Sequence, residues 1–333
     1  MNMKSIAAIA NAVLYEGYML YPYRPSSVKN RQRFNFGVLY PRTYSEAQGG
    51  SDAWSTQTEC LVEGCSRTAL EIKVRFLKLV ARVTDSQSQE GNIPGCSWQE
   101  AVECEVTVPS QSLSAVVSES ISCPFSFPAR EEVEVLRDES GAAAGRIVRT
   151  QGFVQGKIQV RTQQVSNGLF KVNVLLENLT AFEGAAEKRD KALMRSLVSA
   201  HTLLGVTDGQ FVSLLDPPKE FVGWAAACHN VGTWPVLVGA EGERDTMLAS
   251  PIILYDYPQI APESPGDLFD GAEIDEILSL RILTMTDDEK REMRNSDERA
   301  RKMLERTESL PMEHLMKLHG TLRELRSLKE ETP

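Results

Sequence analysis

The sequence predicts an α+β protein, with an antiparallel β-sheet or sandwich as its core, a helix at the N-terminus and a helical C-terminal region. Three observations carry that expectation. Leu70, Ile72, Val74 and Phe76 alternate with Glu71, Lys73, Arg75 and Leu77, the period-2 signal of a half-buried strand. Strand-like segments follow at 101–108, 131–136, 145–150, 157–162 and 169–177, and regular spacing of this kind belongs to antiparallel sheets. Helical spacing and a helix-start signal mark the two ends of the chain.

Taken in order, residues 1–65 hold a helix and an irregular segment rich in Tyr, Arg and Pro. The helix rests on Ile6, Ala10, Val13, Gly17 and Leu20, which recur on one face and form a buried stripe. Lys4 and the apolar run 6–13 mimic a signal peptide. Tyr15, Glu16, Gly17 and Tyr18 stand where a small-residue cleavage site belongs, so the helix is expected to stay in the mature protein. Residues 47–52 read as a turn.

Residues 66–182 form the predicted antiparallel β domain, with the serine-rich stretch 110–122 and the segment 139–144 as exposed connections. Asn167 and Gly168 supply the positive φ of a tight hairpin between its last two strands. Residues 183–270 read as mixed α/β. A helix is expected over 183–205 around Leu193, Leu197 and Leu203, a strand over 211–215 stopped by Asp216, Pro217 and Pro218, a short helix over 221–229, and strands over 235–239 and 250–255. Residues 271–333 read as helices. Ile274, Ile277, Leu278 and Ile282 share a stripe, Thr286 to Glu289 spells a capping box, and Leu315, Leu318, Leu322 and Leu325 line a last helix opened by Pro311.

Bulk numbers narrow the function. The 333 residues are 42% hydrophobic and 25% charged, the composition of a globular chain. No apolar run approaches the roughly 20 residues of a membrane helix. The net charge of −10 argues against broad binding to nucleic acid or anionic membranes, which need a positive surface. Six cysteines are too few for a disulfide scaffold, which points to a reducing cytoplasm.

Charge and aromatic content are uneven. Residues 1–50 carry six bases and two acids, opposite in sign to the whole, and six of the eight tyrosines lie within the first 44 residues. Tyr and Arg side by side are what contact surfaces favour, so Tyr18, Tyr21, Tyr23, Arg24, Arg31 and Arg33 form a candidate partner-binding surface. The same tyrosines would equally serve as a packed strap under the N-terminal helix. Cys60, Cys65, Cys96 and Cys104 are a candidate metal or iron–sulfur set, because four thiolates can close a tetrahedral site. They contain no Cys-x-x-Cys spacing, and buried core thiols explain them as well. The adjacent Cys228 and His229 fit a packing cysteine and a capping histidine better than a nucleophile and its base.

Glu263, Asp267 and Asp270 belong to the densest carboxylate cluster, an acidic docking surface for a basic partner or the favoured start of a helix. EF-hand, P-loop, dinucleotide-binding and Gly-x-Ser-x-Gly patterns are all missing from the chain.

Two stretches resemble a known family. One runs from Asn11 through Tyr15–Glu16–Gly17–Tyr18 and Tyr21–Pro22–Tyr23–Arg24–Pro25 to Ala47–Gln48–Gly49–Gly50–Ser51–Asp52 and Cys60. The other holds Ser250–Pro251–Ile252–Ile253–Leu254, then Ala261–Pro262–Glu263–Ser264–Pro265–Gly266–Asp267 and Glu273–Ile274–Asp275–Glu276. They resemble uncharacterised bacterial proteins encoded alongside high-affinity, actinobacterial-type nickel–iron hydrogenases.

The resemblance implies a non-catalytic accessory protein for hydrogenase assembly, maturation or support. Its partners would be hydrogenase subunits or maturation proteins, with no cofactor of its own. Two alternatives stand beside it. One is a metal-handling factor holding nickel, iron or an iron–sulfur cluster through the cysteines. The other is a small-molecule enzyme pairing Arg24 or Arg33 with Glu263 or Asp267.

Overall fold

The computed structural model describes residues 3–15, 37–86, 97–137, 140–183, 189–259, 282–294, 298–309 and 311. These belong to two compact units, one holding the described residues up to 259 and the other those from 282 onward.

The first unit is organised around a single strand, β1 (Ser55–Ser86), which is 32 residues long. One of its edges pairs with β7 (Leu169–Asn178) over residues 55–63 and with β2 (Ser97–Ser112) over residues 69–83. The other edge pairs with β8 (Val198–Val212) and then β5 (Ala143–Gln151). Between its two halves the register breaks at Gly64 and Ala69. Gly64 is required there, because a Cβ would collide with the Thr68 hydroxyl. Thr68 is buried, donates to the Asp208 carbonyl at 2.5 Å and accepts the Cys65 N–H at 2.9 Å. A bulge of this kind bends its strand and increases the local twist.

The remaining strands extend the sheet antiparallel. They are β3 (Ile121–Phe127), β4 (Arg130–Arg137), β6 (Val154–Ser166), β9 (Trp234–Leu237) and β10 (Thr246–Ser250). The main path runs β3-β6-β7-β1-β8-β10-β9, with β2 on β1 and the β4–β5 hairpin attached to the end of β1. β3 is three strands from β1, so a flat sheet would hold them roughly 14 Å apart. Yet the Phe76 ring lies 5.9 Å from that of Phe125 and 5.5 Å from that of Phe127. The sheet therefore curls over its own interior. Cys60, Val62, Ile72, Val74, Phe76, Ile158, Val172 and Leu204 fill that core, and Leu113 and Val116 of helix α3 (Leu113–Ser118) close it.

A second apolar layer covers part of the sheet. Helix α1 (Met3–Leu14) brings Leu14, helix α2 (Arg42–Ala47) brings Tyr44, and helix α4 (Arg189–Leu193) brings Ala192 and Leu193. They meet Leu77, Leu79 and Val198. Ser199 pins α1 by donating to the Val13 carbonyl at 3.1 Å.

The second unit shows helices α6 (Asp287–Arg294) and α7 (Glu298–Glu308). Thr286 and Glu289 form the expected reciprocal cap, at 2.6 and 3.3 Å. Glu308 joins the two helices, meeting Arg294 at 2.6 Å and Lys290 at 3.2 Å.

The expectation of an antiparallel β core holds, and the predicted strands at 70–77, 101–108, 131–136, 145–150, 157–162 and 169–177 lie within β1, β2, β4, β5, β6 and β7. Gly168 takes φ 72° at the hairpin. Several expectations need correction. Residues 183–205 are mostly not helix: α4 has five residues, and β8 starts at Val198. The strand read at 211–215 is the end of β8, and the one read at 250–255 is β10, which stops at Ser250. The serine-rich stretch 110–122 carries α3 and not an open connection, with Leu113 and Val116 buried. One sheet takes strands from 55 to 250 and so crosses the divisions at 65 and 182. Of 271–333, the described residues carry a turn of helix after Ile282 and then α6 and α7, and the leucine stripe at 315–325 lies outside them.

Candidate functional site

Much of what the sequence singles out lies outside the described residues. Tyr18, Tyr21, Tyr23, Arg24, Arg31 and Arg33 do, as do Glu263, Asp267, Asp270 and Cys96. Three other members of the tyrosine-rich opening are described. Tyr15 donates to Glu103 Oε1 at 2.7 Å. Tyr40 and Tyr44 are buried, with ring centroids 5.3 Å apart, and Tyr44 meets Phe182 edge-on at 5.9 Å. Arg42 lies 4.6 Å over the Trp54 ring and Arg189 5.5 Å over that of Tyr40. Burial pushes the Tyr40 phenol up to about 12, partly offset by the Arg189 guanidinium.

The described candidate thiols are not brought together. Cys60 is buried in the first half of β1, Cys65 is exposed on the bulge, and Cys104 is opposite Phe76 on β2. Cys65 and Phe76 are eleven positions apart along β1, roughly 36 Å if the strand were straight. Among the described residues no group of three or more His, Cys, Asp or Glu side chains is placed to hold a metal. The thiols differ sharply in character. Burial pushes Cys60 far up and Cys104 to about 11, whereas the Arg67 backbone N–H, helped by Thr68, holds Cys65 below the ordinary thiol range.

A side chain the sequence did not flag organises the surface beside helix α5 (Val222–Ala226). Glu59 of β1 is only 8% exposed. Its Oε1 accepts from the Asn173 amide at 3.0 Å, and its Oε2 from the His229 N–H at 2.8 Å and Lys171 Nζ at 3.2 Å. Burial alone would raise its pKa. The His229 N–H, the Asn173 amide and the Lys171 ammonium outweigh that and hold the carboxyl below its usual range. Asn230 completes the join by accepting the Glu59 N–H at 2.8 Å, and Val231 bridges to Gln57. The 228–231 loop is thereby fastened to the sheet, with Cys228 a packing residue beside Ala225, Leu61 and Val212.

Exposed apolar side chains lie on this loop and to either side of it in the sequence. Leu215, Val222, Trp224, Val231 and Trp234 are all more than 40% exposed, and Ile253 and Tyr255 are 72% and 85% exposed. Two of the chain's four tryptophans stand in this group. Single exposed apolar residues need no explanation, but Trp at a surface is the residue type most enriched among binding hot spots. The pairing of Trp224 and Trp234 within eleven residues was the signal available in the sequence.

No helix among the described residues is long and apolar enough to cross a membrane. The sequence matches no family model and no curated protein.

Proposed function

We propose that this chain is a non-catalytic accessory protein of the cytoplasm that acts through protein–protein contacts. Nickel–iron hydrogenase subunits or their maturation proteins are its partners. The observation that carries the binding role is the set of exposed apolar side chains between Leu215 and Tyr255, with Trp224 and Trp234 flanking the 228–231 loop that Glu59 fastens to the sheet. Exposed tryptophan on a formed helix or strand, as Trp224 on α5 and Trp234 on β9, loses little entropy on binding and supplies large contact area. The partner's identity rests on the resemblance carried by the two ends of the chain. The Tyr and Arg segment at 18–33 and the carboxylates at 263–270 supply a second contact surface and an acidic one.

The test is co-expression of the tagged chain with the hydrogenase subunits and their maturation proteins, followed by quantification of what co-purifies. Wild type retains at least one of these components. Trp224→Ser/Trp234→Ser loses it about tenfold, as expected for removing two hot-spot side chains. Retention of none by wild type, or equal retention by a double variant that melts like wild type, overturns the reading.

A further inference from the structure

The solvent face of β6, β7 and β1 is a polar groove of about 380 Å³ that adjoins the 228–231 loop through Gln57 and Glu59. The strand register sets its side chains in rows. Gln159, Leu175 and Gln57 form one row, Arg161, Asn173 and Glu59 the next, and Gln163 and Lys171 the one after. Rows two residues apart along a strand are about 6.8 Å from each other.

Counting donors and acceptors reveals an imbalance. Both oxygens of Glu59, the groove's one carboxylate, are already taken by Asn173, Lys171 and the His229 N–H. Gln57 donates to the His229 carbonyl at 3.1 Å. Among the described residues the side chains of Arg161, Gln159 and Gln163 make no hydrogen bond or ion pair. Arg161 therefore offers five unclaimed N–H groups and Lys171 two more, with no free carboxylate to meet them. The groove is short of negative charge.

Its neutral members point to the form the ligand takes. A carboxamide presents a donor and an acceptor in the arrangement of a peptide group. Gln159 and Gln163 offer such a pair on either side of Arg161 along one strand. An extended peptide puts every second side chain on one face at the same spacing of about 6.8 Å as the rows. Two acidic residues at i and i+2 would reach Arg161 and Lys171, which are in adjacent rows on neighbouring strands. Adjacent acids would point to opposite faces and reach only one of them.

We propose that this groove binds an extended segment of a partner protein carrying an acid–x–acid motif, with one carboxylate on Arg161 and the other on Lys171. Among the described residues the groove meets the exposed apolar set only at the Gln57–Val231 bridge, and its recognition rests on charge and not on the exposed tryptophans.

The test is fluorescence anisotropy with the full chain and three labelled ten-residue peptides. One carries Glu-Thr-Glu at its centre, one Gln-Thr-Gln, and one Thr-Glu-Glu, in otherwise identical Gly/Ser/Thr flanks. The first binds at least tenfold more tightly than the second and severalfold more tightly than the third. Arg161→Gln, an exposed substitution, reduces that affinity about tenfold. Arg137→Gln on the β4–β5 hairpin, and Trp224→Ser, leave it unchanged. Equal affinity for the Glu and Gln peptides, or full binding by Arg161→Gln, overturns the proposal. So does complete displacement by citrate at equal carboxylate concentration, which would mark a simple anion site.

Discussion

Replacing Glu59 by Gln removes one charge and keeps the shape. Three donors converge on the native carboxylate, at 2.8, 3.0 and 3.2 Å. The amide oxygen of Gln can still accept from one or two of them, while its NH2 faces a donor where an oxygen stood. A hydrogen bond to a charged group contributes about 1.5–3 kcal/mol. Lys171 retains 24% exposure and can turn to water, so screening discounts its share. The expected loss at pH 7 is about 1–2 kcal/mol, and Glu59→Ala, which strands the His229 N–H as well, loses about 3 kcal/mol.

The pH dependence carries its own sign. The folded-state pKa of Glu59 lies below the ordinary carboxylate value, so its contribution is complete above the unfolded pKa and fades as pH falls through the folded one. The gap between wild type and Glu59→Gln should therefore close on acidification. Hydrogen exchange at the Val231 amide, which is bonded to Gln57, reads this locally, with roughly tenfold lower protection for each 1.4 kcal/mol. A Gln variant as protected as wild type at pH 7, or a gap that widens toward pH 3, refutes the hub role.

Phe76→Ala empties the centre of a three-ring cluster and should cost about 3–5 kcal/mol in urea unfolding; a loss under 1 kcal/mol would mean the rings do not form the core. Gly156→Ala should cost about 1–3 kcal/mol, since the new methyl meets Phe125 and the Glu177 carbonyl inside contact distance, whereas Gly223→Ala, with open space around it, should cost less than 1 kcal/mol. Native iodoacetamide labelling at pH 7 should modify Cys65 first and leave Cys60 and Cys104 until unfolding, as mass spectrometry of the peptides will show. His201 is buried and held down to about 4 by loss of water around it. Its contribution is intact above pH 6.5 and is lost between pH 6.5 and 4, about 3 kcal/mol in all, and His201→Leu should lack that slope in its unfolding free energy.

The strands that the sequence announced are those with one wet face. β6 alternates buried and exposed positions almost throughout its first ten residues, and the pattern is visible in its residue types. β8 has nine consecutive buried positions, so its period disappears and Leu197 and Leu203 pass for a helical stripe. The first half of β1 escaped for the opposite reason. Its inward positions begin with Thr56 and Thr58, which a hydrophobicity pattern does not register. The cysteine spacing misled because residues close in number on an extended strand are far apart in space. Glu59 was invisible because its partners come from positions 171, 173 and 229, and only the fold brings them together.

The length of β1 also sets conditions on how the chain is made. Its four neighbours are β2, β5, β7 and β8, and the last of these ends at Val212. On the ribosome, β1 is complete more than a hundred residues before its final partner emerges. At translation rates of about 5–20 residues per second, that leaves an apolar strand with an open edge for several seconds. Its contacts are distant in sequence, which slows folding further. The nascent chain should depend on holdase chaperones through that interval, and truncation before β8 should yield a chain that aggregates instead of a smaller folded domain.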